Sequence, residues 1–154
     1  LYASIPWIGG IFGDLLGGYI SKKLTDKGIC SSINAKRGLI AICALLAAGL
    51  VIAIPFVHSL AFSIGLMTLA LCAISAITGS AWALAGDVAP PSMVGSVGAI
   101  QNFGGYFGGA FAPAVAGMIA DTTGSYTIAF VSGGIIAGFA AIFYWFVVKE
   151  PIEG

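Results

Sequence analysis

Five stretches of about 20 nearly uncharged residues run through this chain, and they constrain its fold more than any other feature. They occupy 1–21, 37–57, 60–86, 94–120 and 126–148. A helix of that length rises roughly 30 Å, the thickness of a bilayer's hydrocarbon core. Inside that core every backbone N–H and C=O must find a partner, which leaves only helices or a closed barrel. The stretches are continuous and lack alternation of polar and apolar residues, so barrel strands are excluded. Composition agrees. Of 154 residues 59% are apolar and only 8% charged, with a mean hydropathy of +1.06. A soluble domain carries about 25% charged residues. The reading is an all-α integral membrane protein of five transmembrane helices.

The charges set an orientation. Lys22, Lys23, Lys27, Lys36 and Arg37 lie in or beside the basic connection 22–36, and Lys149 follows the last stretch. With alternate connections on opposite sides, all six Lys and Arg fall on one side. The positive-inside rule makes that side the cytoplasm, so the first span runs inward and the C-terminus is cytoplasmic. The outer connections hold only His58 and Asp121. Six acids balance the six bases, and a net charge of zero excludes a nucleic-acid binder. The chain opens on apolar sequence at Leu1 and holds an odd number of spans, so a partner helix is expected upstream in a longer protein.

Soluble-enzyme chemistry has no foothold. Cys30, Cys43 and Cys72 fit neither a zinc site nor a disulfide framework, and His58 has no second ligand nearby. No Gly-rich dinucleotide or phosphate loop is present, so no cofactor or metal is expected. The 23 glycines do show a pattern. Gly9-Gly13-Gly17, Gly104-Gly108, Gly105-Gly109 and Gly134-Gly138 repeat at i, i+4, the spacing of small faces that let helices approach closely. Phe139, Phe143, Tyr144, Trp145 and Phe146 read as an aromatic belt at the headgroup level.

Polar groups inside the spans are the candidate functional residues, because hydrocarbon tolerates them only against a partner or a wet cavity. The fourth span carries Gln101, Asn102 and Tyr106 around Gly104-Gly105, and Pro113 is expected to break its helix. Asn102 and Tyr106 are i, i+4 neighbours on one face, able to line a substrate site or bond a neighbouring helix. Thr78, Ser80 and Trp82 form a second polar and aromatic cluster. Ser and Thr can instead bond back to their own helix, and Trp82 can serve as a belt residue. Asp14 is the only carboxylate well inside a span, a candidate for proton or cation coupling or for an ion pair with the basic loop. Asp87, ahead of Pro90-Pro91, can cap a turn or pair with Arg37, Lys36 or Lys22 as a cytoplasmic gate.

These residues resemble a known family. The run from Gly9 through Asp14 and Gly18 to Lys22-Lys23-Leu24, followed by Ala35-Lys36-Arg37, resembles the eighth helix and following loop of a major facilitator superfamily transporter. Ala85-Gly86-Asp87-Val88-Ala89-Pro90 is similar to the inner end of its tenth helix. Gln101-Asn102-Phe103-Gly104-Gly105-Tyr106 and Phe111-Ala112-Pro113 are similar to its eleventh. The family's loop motif G-x-x-x-D-[RK] stands here with Lys22 in place of Asp. Within the superfamily the pattern is most similar to anion:cation symporters of sugar acids and related organic anions. The resemblance covers the whole chain and makes its spans helices 8–12 of twelve. It implies alternating access to a midplane site lined by Asn102, Gln101, Tyr106, Ser80 and Trp82. It also implies a small organic anion and a coupling proton (or sodium) as partners, and the bacterial inner membrane as location. The cation that holds the substrate would lie in an N-terminal half outside this chain. Open beside this are another substrate class, a neutral sugar or a drug, and a scaffold whose glycines only pack helices.

Overall fold

The computed structural model describes residues 4–148, so Lys149 and the first three residues of the first span lie outside the described residues. Five helices follow in order: α1 (Ile5–Asp26), α2 (Ser32–Ala53), α3 (Leu60–Val88), α4 (Val94–Thr123) and α5 (Thr127–Val147). Four of them, α2 to α5, are long and apolar enough to cross a membrane. The 22-residue α1 matches in length, but Asp14, Lys22, Lys23 and Asp26 dilute its apolar run.

Local chemistry sets the ends. Pro6 opens α1, where a missing N–H is harmless. Gly28, at φ +67°, turns the chain toward α2, and the Ser31 hydroxyl accepts the Asn34 N–H at 3.3 Å to cap it. The connection is thus shorter than the sequence suggests: Lys22 and Lys23 ride the last turns of α1, Lys36 and Arg37 the first turns of α2. Pro55 ends α2 in a 3-10 turn, Ile54–Phe56. Gly124, at φ +68°, closes α4 by donating its N–H to the Ala120 carbonyl at 2.8 Å. The expected break in the fourth span does not occur. Pro113 removes the N–H that would reach Gly109, yet α4 runs on through 30 residues. One lost bond leaves enough of the ladder intact on both sides.

The helices pack in the order α1, α3, α2, α5, while α4 touches α3 and α5 only lightly. Small residues make this possible. A Cβ on Gly9 would stand 2.5 Å from the Thr68 carbonyl oxygen, and one on Gly17 2.9 Å from that of Ala76. Between them, a Cβ on Gly13 would fall onto the Cys72 carbonyl. The three pairs ascend together, so α1 and α3 run parallel with their backbones in contact. On the other flank, a Cβ on Gly134 would meet the Ala48 carbonyl at 2.9 Å, joining α5 to α2. The core is correspondingly fine-grained: Ala44, Ala47, Ala70, Ala73 and Ala141, with Ile40 and Leu84 as the larger plugs. Gly104, Gly105, Gly108, Gly109 and Gly138 share the spacing but meet nothing within 4 Å among the described residues. They are not packing faces among the described residues.

Candidate functional site

The polar residues of α4 gather where that helix stands away from the others. Gln101, Asn102 and Tyr106 line a cleft of about 1060 Å³ together with Thr78, Trp82, Trp7 and Tyr144. Its floor comes from α3 at Ile74, Ile77 and Ala81, and Gly105 and Gly109 hollow the opposite wall. Gly105 and Gly109 lack side chains, so α4 recedes without giving up its amides. The cleft is wide because α4 meets α3 and α5 only lightly. The Trp82 ring lies 3.3 Å from where a Cβ on Gly98 would be, and Gly98 is the one buried residue of α4.

The chemistry is that of an uncharged, amphipathic cavity. Asn102 and Gln101 offer amide donors and acceptors, Tyr106 a hydroxyl, and two indoles and a second phenol supply flat apolar walls. Thr78 donates its hydroxyl to the Ile74 carbonyl at 3.1 Å, the back-bonding that hydroxyls use in helices. Among the described residues, no Asp, Glu, Lys or Arg lines the cleft.

Other expected residues fall elsewhere. Ser80 is not in the cleft; it is 1% exposed in the core, and its hydroxyl finds no partner among the described residues. It continues the row Thr68, Cys72, Ala76 that faces α1, one helical phase away from Thr78 and Trp82. Asp14 is exposed at the α1–α3 seam, with Oδ1 3.5 Å from where a Cβ on Gly79 would be, and no ion pair joins it to the basic end among the described residues. Two cleft residues went unforeseen. Tyr144 belongs here and not to the belt, half-buried against Ile40, Ala81 and Leu84, while Phe139, Phe143 and Phe146 stay exposed. Its i, i+3 spacing from buried Ala141 is the signal that places it inward. Trp7 gave no such signal.

At the charged end, Asp87 is held by two groups of α2: the Lys36 ammonium at 2.6 Å and the Ser32 hydroxyl at 2.5 Å. Lys36 is therefore its partner, and neither Lys22 nor Arg37 is. Lys22 lies with Tyr19, Lys23, Asp26 and Lys27 at the C-terminal end of α1. Arg37 turns to α5, donating from Nη1 to the Val148 carbonyl at 3.2 Å and stacking 4.8 Å above the Trp145 ring.

An α-helical membrane bundle with a polar cleft between loosely joined helices is the architecture of a transport protein. The family model of the Major Facilitator Superfamily matches residues 1–154, and the chain belongs to that family of transporters, which are not enzymes. It is similar to the probable L-galactonate transporter of Escherichia coli (strain K12), 32% identical over 99% of this chain and 34% of that protein. It is also similar to the hexuronate transporter of Bacillus subtilis (strain 168), 32% identical over 90% of this chain and 33% of that protein. A probable galactarate/D-glucarate transporter of Escherichia coli (strain K12) is 31% identical over 96% of this chain and 32% of its own length. The chain spans about a third of the length of these curated relatives.

Proposed function

We propose that this chain is the C-terminal portion, helices 8–12, of a secondary transporter that carries small organic anions of the sugar-acid class in symport with protons. The observation that carries the reading is the cleft lined by Asn102, Gln101 and Tyr106. A polyhydroxylated acid needs many hydrogen-bonding partners and flat apolar walls for its ring or chain, and the cleft offers both. Among the described residues it holds no cation, and the substrate carboxylate is met by a group outside this chain. The names of the relatives support the substrate class. Trp82 contributes the wall next to Gly98; Ser80 acts through packing.

Proton exchange is assigned to Asp14, which is exposed beside the α3 backbone. The Lys36–Asp87–Ser32 cluster closes the charged end as a gate, with Arg37, the next residue of α2, tied to α5 beside it and Lys22 on the last turns of α1. That end is cytoplasmic, in the bacterial inner membrane. The test is uptake by the full-length protein in proteoliposomes under an inward proton gradient, with labelled sugar acids and neutral sugars. Gradient-driven uptake of acids that Asn102→Ala abolishes and Asp14→Asn uncouples is the expected result. Uptake of neutral sugars alone, or acid uptake indifferent to Asn102, refutes the substrate assignment.

A further inference from the structure

A second cavity, of about 650 Å³, opens between α2 and α5 on the side of the bundle away from α4. At its charged end stands Arg37. The guanidinium has five N–H donors in a planar fork. Within the described residues it spends one on the Val148 carbonyl, no carboxylate pairs with it, and its buried Nε has no partner. A buried donor left unmet is unfavourable, and a guanidinium stacked on an indole is already oriented to grip a planar or tetrahedral oxyanion. Asn34, one turn earlier on α2, adds an amide to the same rim. Gly38 leaves the Trp145 ring uncovered at the mouth, where a Cβ would come into ordinary contact with it at 3.8 Å. Below the rim the lining is wholly apolar: Ile42 and Leu45 of α2 face Ile142 and Phe146 of α5, and all four are exposed. From Arg37 to Leu45 the groove extends about 12 Å down the helix axis, away from the charged end.

An oxyanion-seeking head above a long apolar trough, at the end of a bundle where five bases collect, matches one molecule in shape and charge. The geometry points to a binding site for an anionic phospholipid, its phosphodiester on Arg37 and Asn34 and one acyl chain in the Ile42–Phe146 trough. Basic pockets between membrane helices recognise such headgroups by charge, and the trough supplies the affinity that a free anion lacks. The bound lipid links the first turns of α2 to the last turn of α5, beside the Lys36–Asp87 pair.

The test uses the delipidated full-length protein, titrated with phosphatidylglycerol, phosphatidylcholine or inorganic phosphate and read by native mass spectrometry. Phosphatidylglycerol should bind in preference to phosphatidylcholine, and Arg37→Ala should weaken it at least about tenfold, the loss expected for a charge-assisted contact. Inorganic phosphate should not displace it. A readout on the unmutated protein guards against misfolding of the variant. Cys30 lines the same cavity, so its alkylation, followed by peptide mapping, should slow with phosphatidylglycerol and not with phosphatidylcholine. Equal binding of both lipids, retention by Arg37→Ala, or displacement by phosphate overturns the assignment. Glu150→Gln should bind as the unmutated protein does. A marked gain on removing that carboxylate would make Glu150 the anion that Arg37 holds, and would also overturn it.

Discussion

Replacing Gly13 by alanine adds a single methyl group at the tightest point of the α1–α3 crossing. In an exposed soluble helix the change would be favourable, since alanine exceeds glycine in helix propensity by about 1 kcal/mol. Here the new Cβ would fall on the Cys72 carbonyl oxygen, with the Cys72 backbone behind it. Backbone cannot turn aside as a side-chain tip can, so the two helices must separate by roughly an ångström. That movement cannot stay local. Gly9 over Thr68 and Gly17 over Ala76 share the same rigid pair of rods, and their close backbone approaches would lengthen together. Overpacking of this kind costs about 1–3 kcal/mol, which outweighs the propensity gain. Gly18→Ala is the control, because a Cβ there meets nothing within 4 Å. Thermal unfolding of the purified full-length protein, followed by intrinsic fluorescence, should place Gly13→Ala several degrees below the parent and Gly18→Ala at or above it. Equal melting of the two variants would refute the argument that backbone contact, and not glycine's flexibility, explains this row.

Two further outcomes follow from single groups. Neutralising Asp87 to Asn or Lys36 to Ala should each lower stability by about 1 kcal/mol, and the double variant should lose little more, since both remove one half-buried pair; additive losses would show the pair to be energetically silent. Ser80→Ala removes a fully buried hydroxyl that has no partner among the described residues, so the variant should melt at or slightly above the parent and keep its uptake. A loss of uptake without a loss of stability would return Ser80 to the substrate site.

The helices were legible because length and hydropathy decide the matter in a bilayer, where the backbone has no alternative partner. Their ends were less so. Lys22 and Lys23 look like loop by charge, yet helices continue past the hydrocarbon boundary wherever water and side chains can satisfy them. Glycine spacing identified the α1 face but could not tell it from the identical spacing at Gly104 and Gly108. What differs is the neighbour, and a neighbour is a tertiary fact. The cleft residues Asn102 and Tyr106 were legible from their cost in hydrocarbon, and their i, i+4 spacing brought them to one wall. Ser80 and Thr78 carry equal polarity two positions apart, and only the packing of α3 against α1 assigns one to the core and the other to the cleft. For Asp87 the sequence offered Lys22, Lys36 and Arg37, and the phase of α2 chose Lys36.

That choice has a mechanical consequence. Lys36 and Arg37 are consecutive, so they leave α2 about 100° apart, one toward α3 and the other toward α5. Twisting α2 about its own axis in one sense shortens the reach to Asp87 and lengthens the reach to Val148 and Trp145; the opposite sense reverses both. The first turns of α2 thus act as a balance beam with an ionic weight on one arm and an aromatic one on the other. Rotation of this helix in either direction is opposed by whichever arm it stretches.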